Sequence, residues 1–194
     1  MRFFTFVSGL FIALPLWAND LMNLRSYGND SPNKLYLFSS LACPHCAHFH
    51  QDVLPEIEKN YVKPGKAKIV MVDMVMNNAS LLGAILLRCA PKEKQHEIEK
   101  ELYQEQKQWA FDEKKAKIFL ADIAHKYGIS AGEFETCIQN KDLQKTIITD
   151  QKKLSATYGI THMPTLMFRK NEQVFLWKGS EKDEIMTGLS QAFE

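Results

Sequence analysis

The sequence predicts an α/β fold in the order β-α-β, helical insertion, β-β-α, and three observations predict it. A compact apolar run of strand length at 34–38 is followed by a helix starting at Pro44 and a second buried strand over 67–76. Residues 77–158 then carry helical spacing throughout. Strand character returns at 165–168 and 174–177, ahead of one last amphipathic helix.

Residues 19–33 are polar and turn-rich (Asn29-Asp30-Ser31-Pro32-Asn33) and read as a short lead-in. The KLYLF run that follows ends in Ser39-Ser40. In the helix from Pro44, the residues Phe49, Val53 and Ile57 recur at every fourth position and form one buried stripe. Pro64-Gly65 breaks that helix. The AKIVMVDMVM segment is rich enough in β-branched residues for a buried strand, so the start is a βαβ unit with a parallel pair.

In the insertion, 79–90 is apolar nearly all round, hence buried, and Pro91 ends it. Ile98, Leu102 and Trp109 line one face of a highly charged helix. Ala116, Phe119, Leu120, Ile123 and Tyr127 line another, which stops at Gly128. Ser130 and Glu133 form a capping box for a short helix through Asn140. Leu143, Ile147, Leu154 and Tyr158 mark one more, closed by Gly159. A polar turn at 169–173 joins the two late strands as a hairpin. Ser180 caps the last helix, with Ile185, Leu189 and Phe193 turned inward.

Composition narrows the function. With 45 % hydrophobic and 24 % charged residues, the chain is neither disordered nor collagen-like. Lys plus Arg number 24 against 23 Asp plus Glu, so no basic surface is available to displace counterions from nucleic acid. Residues 1–18 read as a secretory signal peptide. Met1-Arg2 is a positive start, 3–17 is an uncharged apolar run too short for a membrane span, and Ala18 is a small residue at the cleavage point. At Leu16 the cleavage pattern prefers a smaller side chain, which leaves an uncleaved anchor as the alternative. Either way residues 19–194 are expected outside the cytosol, where disulfides persist.

The chemistry centres on Cys43-Pro44-His45-Cys46. Pro44 fits a first helical turn, having no N–H to leave unpaired. Cys43 then sits at the helix N-terminus, where free N–H groups and the helix dipole favour a thiolate. Cys46 lies one turn deeper, within bridging distance. His45 adds a hydrogen-bond donor or partial positive charge beside Cys43. A stabilised thiolate favours the reduced form and makes the disulfide a stronger oxidant. A structural disulfide and a zinc half-site are the alternatives, the second because His45, His48 and His50 accompany the two cysteines. Tetrahedral zinc sites normally close with ligands from a second segment. The second signal is Met163-Pro164, immediately before the returning strand.

These features resemble the DsbA family of periplasmic disulfide oxidoreductases, within the thioredoxin superfamily, across about residues 33–194. The resemblance implies a thioredoxin fold, β-α-β … β-β-α, with an inserted helical subdomain at about 77–158. It implies that Cys43 is the attacked, solvent-facing sulfur and Cys46 its buried partner. Pro44 and His45 complete the catalytic set, and Pro164 is a cis-proline stacked against the pair. Met163 would present its backbone to an extended substrate peptide. Many relatives carry a buried acid on the first strand, where this chain has Leu37; Asp73 on the second strand is a weak substitute. Cys89 and Cys137, on two helices of the insertion, are expected to be bridged in an oxidising compartment, contributing roughly 4 kcal/mol. Two buried, inert thiols are the alternative.

The expected function is a monomeric periplasmic oxidase that needs no cofactor and no metal. It would introduce disulfides into unfolded or folding secreted proteins with free Cys. A membrane quinone-linked partner of the DsbB kind would reoxidise it. An isomerase or reductase kept reduced is the enzymatic alternative, although a first strand at Lys34 leaves no room for an N-terminal dimerisation domain. A non-catalytic metal-binding or chaperone module is the third reading.

Overall fold

Strand β2 (Lys34–Ser39) is the centre of a five-stranded mixed sheet in the order β1-β3-β2-β4-β5. The computed structural model describes residues 24–171 and 173–194, so the signal-peptide segment lies outside the described residues. Strand β3 (Lys68–Asp73) runs parallel to β2, with Leu37 opposite Met71. On its other side β2 pairs antiparallel with β4 (Thr165–Lys170), which forms the hairpin with β5 (Gln173–Lys178).

Both faces of β2 are apolar, because alternate side chains enter different cores. Leu35 and Leu37 pack with Phe49, Val53, Ile57, Ile69 and Leu189. Tyr36 and Phe38 pack with Val70, Val72, Leu154 and Met167. The first layer is covered by the helical run 44–62 and by α9 (Lys182–Phe193), the second by α8 (Lys141–Tyr158). Phe49, Val53 and Ile57 are all fully buried, as their spacing requires.

The run 44–62 is not uniform. It consists of α1 (Pro44–His48), a π-helical turn Phe49–Val53, α2 (Leu54–Ile57) and a second π-turn Glu58–Val62. Pro55 in the first turn of α2 supplies the reason for the first of these. Its ring cannot donate and crowds the carbonyl four residues back, so the preceding turn widens. The insertion comprises α3 (Asn78–Cys89), α4 (Lys92–Gln104), α5 (Gln106–Trp109), α6 (Glu113–Lys126), α7 (Ala131–Ile138) and α8. Ser130 and Glu133 make the capping box, and Gly159 ends α8 in the left-handed conformation at φ 64°.

Three expectations need correction. The lead-in contains β1 (Arg25–Tyr27), an edge strand antiparallel to β3. Its Arg25 turns inward to a buried carboxylate pair, which no apolar pattern announces. The charged helix through Trp109 is interrupted at Glu105. There the Leu102 carbonyl accepts the Trp109 indole N–H at 3.0 Å, and a side chain entering the ladder is a common cause of such breaks. The last helix is capped by Glu181 rather than Ser180, with no side-chain hydrogen bond. Asp183 and Glu184 in its first turn favour the dipole instead.

Cys89 and Cys137 are disulfide-bonded, with 6.4 Å between their Cα atoms. Both lie at helix C-termini, where the dipole disfavours a thiolate. Replacing both by Ala should lower stability by up to about 4 kcal/mol in denaturant unfolding, while thiol exchange at Cys43 continues. Lost exchange with unchanged stability would contradict a structural role. A second test concerns Gly188 of α9, where Ala would gain about 1 kcal/mol of helix propensity. A Cβ there would lie 2.7 Å from Trp177 Cε2 in a rigid ring. The clash should win, so Gly188→Ala is expected to lose about 1–3 kcal/mol of unfolding free energy.

Candidate active site

The redox pair stands where β2 leaves the sheet and α1 begins. Cys43 is the N-cap of α1, extended at φ −97° and ψ 118°, with Pro44 in the first turn. A tight turn delivers it, the Cys43 N–H donating to the Ser40 carbonyl at 3.0 Å. The insertion clamps this turn from above. Gln106 Nε2 donates to the Leu41 carbonyl at 2.9 Å and to the Cys43 carbonyl at 3.0 Å, and Gln106 is itself buried.

The two sulfurs are free thiols in unequal surroundings. Cys46 is fully buried and Cys43 is 6 % exposed, so Cys43 is the more accessible but is not openly solvent-facing. The cause is packing: Cys43 belongs to the core of the insertion, and Met163 closes over it. Cys43 Sγ donates to the Met163 carbonyl at 3.8 Å. The Met163–Pro164 peptide is cis and Pro164 is buried, its carbonyl accepting from Gly179 N–H at 2.8 Å. Pro44 and His45 form the exposed rim.

The Cys43 thiol is lowered from 9.0 to about 6. A hydrogen bond with the Cys46 thiol contributes most, against the opposing effect of burial; the N–H groups of Cys46 and His45 come next. The His45 imidazole adds the smallest share, so the helix start outweighs it. Cys46 is pushed strongly up, first by the same shared hydrogen bond and then by burial.

Beneath Cys46 lies a polar cluster that the sequence reading missed. Ser39 Oγ is 2.7 Å from Tyr103 Oη and 3.3 Å from His50 Nε2, and all three residues are buried. The His50 and Tyr103 rings stack with centroids 3.7 Å apart. His50, one helical turn beyond Cys46, was visible as a candidate; Ser39 and Tyr103 carried no such signal. Asp73 does not serve as the missing acid. Burial alone would raise its pKa, but Arg25 at 2.6 Å and Arg88 at 2.9 Å hold its carboxylate ionised. The histidines do not converge on the sulfurs as a metal site would. His45 and His48 are exposed, and His50 turns into the core.

A thiol pair at a helix start, beside a buried proline that opens a strand, defines the thioredoxin class. The chain belongs to the thioredoxin family, whose model matches residues 23–183. Among curated proteins it is similar to protein-disulfide oxidoreductases of Rickettsia. It is 30 % identical to that of Rickettsia typhi over 128 residues, covering 63 % of this chain and 46 % of the relative. With the Rickettsia bellii protein the identity is 26 % over 125 residues, covering 62 % and 47 %. The chain thus spans about half the length of the curated relatives it matches. Among solved structures it shares its fold with alpha-DsbA1 of Wolbachia pipientis, at TM-score 0.80 and 21 % identity, covering 89 % of this chain and 92 % of that one. It also shares it with DsbA of Chlamydia trachomatis, at TM-score 0.70 and 20 % identity, covering 87 % and 91 %. The architecture is that of DsbA proteins, a thioredoxin fold with an inserted helical subdomain.

The lowered Cys43 pKa is a linkage prediction. A group whose pKa falls on folding stabilises the fold above its unfolded pKa, and that contribution is lost as pH falls through the folded value. Only the reduced form carries the Cys43 thiolate. Its stability relative to the disulfide form should therefore rise between about pH 6 and about pH 9. Paired unfolding curves of the two redox forms measure this, and a difference that stays flat over that window contradicts the assignment.

Proposed function

We propose that this chain is a periplasmic protein-disulfide oxidase acting through Cys43 and Cys46. The observation that carries the reading is the asymmetry of the pair: one sulfur at the helix start beneath an exposed rim with its thiol pKa lowered, the other fully buried with its thiol pushed up. In the oxidised protein, a substrate thiolate attacks Cys43 Sγ and Cys46 leaves with the electron pair. A second substrate thiolate then attacks the substrate sulfur of the mixed disulfide and releases Cys43 as a thiolate. The substrate gains a disulfide and the protein is left as the dithiol. The Met163 backbone lies against Cys43, where an extended substrate segment would dock by strand addition.

The choice of oxidase over reductase rests on linkage between thiolate stability and potential. A thiolate stabilised only in the dithiol form makes the disulfide the stronger oxidant. The signal-like residues 1–18 support export, and unfolded secreted proteins with free cysteines are the substrates that compartment offers. A membrane quinone-linked partner of the DsbB kind would restore the disulfide, and one copy of the chain holds the complete thiol site.

Equilibration of the Cys43–Cys46 pair with glutathione tests the reading. The expected potential is clearly more oxidising than about −270 mV, the value for thioredoxin. A potential at or below that value would make the protein a reductase. His45→Ala should shift the pair toward more reducing values by no more than roughly 30 mV, equivalent to about one pKa unit. That bound reflects the imidazole's smallest share in the Cys43 environment.

A further inference from the structure

The insertion reaches the redox turn through one short element. Helix α5 is only four residues long, yet it is pinned at both ends. At its C-terminal end the Ala110 carbonyl accepts from Asn77 Nδ2 at 2.9 Å, and Asn77 is itself the N-cap of α3. The buried Trp109 ring packs where Gly83 of α3 meets the turn. A Cβ at Gly83 would lie 2.7 Å from Leu41 Cδ1 and 3.0 Å from Trp109 Cη2. A helix this short keeps its shape through such contacts, because its own hydrogen bonds are too few to do so.

At the other end of α5 stands Gln106. A primary amide carries two N–H groups, and Nε2 of Gln106 spends both on the turn. One goes to the Leu41 carbonyl at 2.9 Å and the other to the Cys43 carbonyl at 3.0 Å. Leu41 lies between β2 and α1, outside the ladder of either, so its buried carbonyl needs a donor from elsewhere. The Cys43 carbonyl also accepts from Ala47 N–H at 3.1 Å, which ties the same grip to the first turn of α1. Two carbonyls on either side of Ala42 are held by one nitrogen, so the segment cannot pivot without breaking a bond. The turn is fixed to the second sulfur as well, since Ser40 N–H donates to Cys46 Sγ at 3.4 Å.

We propose that Gln106 is a positioning residue of the redox pair. By gripping the Leu41 and Cys43 carbonyls it keeps the Cys43 sulfur at the start of α1 and in line with Cys46. The role rests on Cys43 being the attacked and Cys46 the resolving thiol.

Two consequences follow from the grip. The Cys43 thiolate is favoured by the Cys46 thiol and by the N–H groups of Cys46 and His45, and each of these contacts depends on where Cys43 Sγ stands. The amide protons of Gln106 also cover two carbonyl oxygens whose partial negative charge would oppose a thiolate nearby. The second consequence is proximity. Closing the disulfide needs the two sulfurs aligned, and a displacement of about 1 Å can cost on the order of a hundredfold in rate.

The test is stopped-flow reaction of the reduced protein with 5,5′-dithiobis(2-nitrobenzoate). In a first phase, proportional to reagent, the Cys43 thiolate attacks and one thionitrobenzoate leaves. In a second, independent of reagent, Cys46 gives its proton to the buffer and its sulfur bonds to Cys43 Sγ. The second thionitrobenzoate then departs with the electron pair. Gln106→Met keeps the length of the side chain and removes both donors. It should slow the second phase at least about tenfold. At about pH 8 Cys43 is ionised in both proteins, so the first phase should stay within about twofold. Thiolate absorbance should place the Cys43 midpoint about one pKa unit above its wild-type value of about 6.

Gln106→Glu gives a test by rescue. Ionised, it faces two carbonyls with a carboxylate; protonated, it regains one donor. Compared with wild type at the same pH, its second phase should be slow near pH 8 and recover severalfold near pH 5, where a buried carboxyl is protonated. Gln106→Met should show no such recovery. Gly188→Ala, which loses stability through its clash with Trp177, should leave both the midpoint and the second phase at wild-type values. An unchanged midpoint and second phase in Gln106→Met overturns the role. So does an equal change in Gly188→Ala, or a Gln106→Glu variant no better at low pH. Far-UV circular dichroism checks folding, and Gln106→Glu decides alone should Gln106→Met fail to fold. Cys46→Ala tests the assignment underneath. It should lose only the second phase; loss of the first would overturn the assignment of Cys43, and the role of Gln106 with it.

Discussion

The start of the helix at Pro44 is the constraint on which the site depends. It must end a buried central strand, expose its first N–H groups and still bury the residue one turn on. Strand β2 reaches this point because both its faces are covered, so its C-terminal end is fixed from two sides. The turn 40–43 is then tied down by the hydrogen bond from Cys43 to Ser40 and by Gln106 from the insertion. Those contacts cross from one subdomain to the other. Removing Gln106 would leave two buried carbonyls without their amide donor, and the turn holding Cys43 would lose its roof.

A buried ionic network joins the same two subdomains a layer deeper. Arg25 of β1 bridges Asp73 of β3 and Glu99 of α4, while Arg88 of α3 holds the other oxygen of Asp73. Desolvating four charges is expensive, and such networks contribute less to net stability than to fixing which partners meet. Here the partners are an edge strand, a central strand and two helices of the insertion. The network therefore sets the pose of α4 against the sheet, and α4 supplies the Tyr103 that stacks on His50. It also removes Asp73 from proton chemistry by keeping it ionised.

Much of this was legible in the sequence, and the rest was not for identifiable reasons. The apolar runs of β2 and β3, the stripe of Phe49, Val53 and Ile57, the capping box at Ser130 and the stop at Gly159 are local patterns with local causes. The CxxC motif announced its own placement at a helix start. Strand β1 escaped because three residues with an inward Arg make no pattern, and its partner β3 lies more than forty positions away. Gln106 and Tyr103 read as ordinary members of a charged helix. Their importance comes from contacts across 63 and 64 positions of sequence, which only the fold creates. His45 lowers the Cys43 thiol as its place two residues on suggests, but the second thiol and backbone N–H groups contribute more.

Leu37 and Ser39 explain each other. Side chains two apart on a strand share a face, so Leu35, Leu37 and Ser39 all turn toward the layer of α1 and the first π-turn. The apolar residue at 37 fits that layer, which Phe49 and Val53 fill completely. One pleat further on, at the end of β2, the helix has just begun and His50 faces the strand. The polar group there is a hydroxyl, which needs no counter-ion in a low-dielectric interior. Ser39, His50 and Tyr103 form a neutral chain of donors and acceptors at this point. A neutral chain leaves the Cys43 thiolate the only anion at the helix start, so no second negative charge works against it.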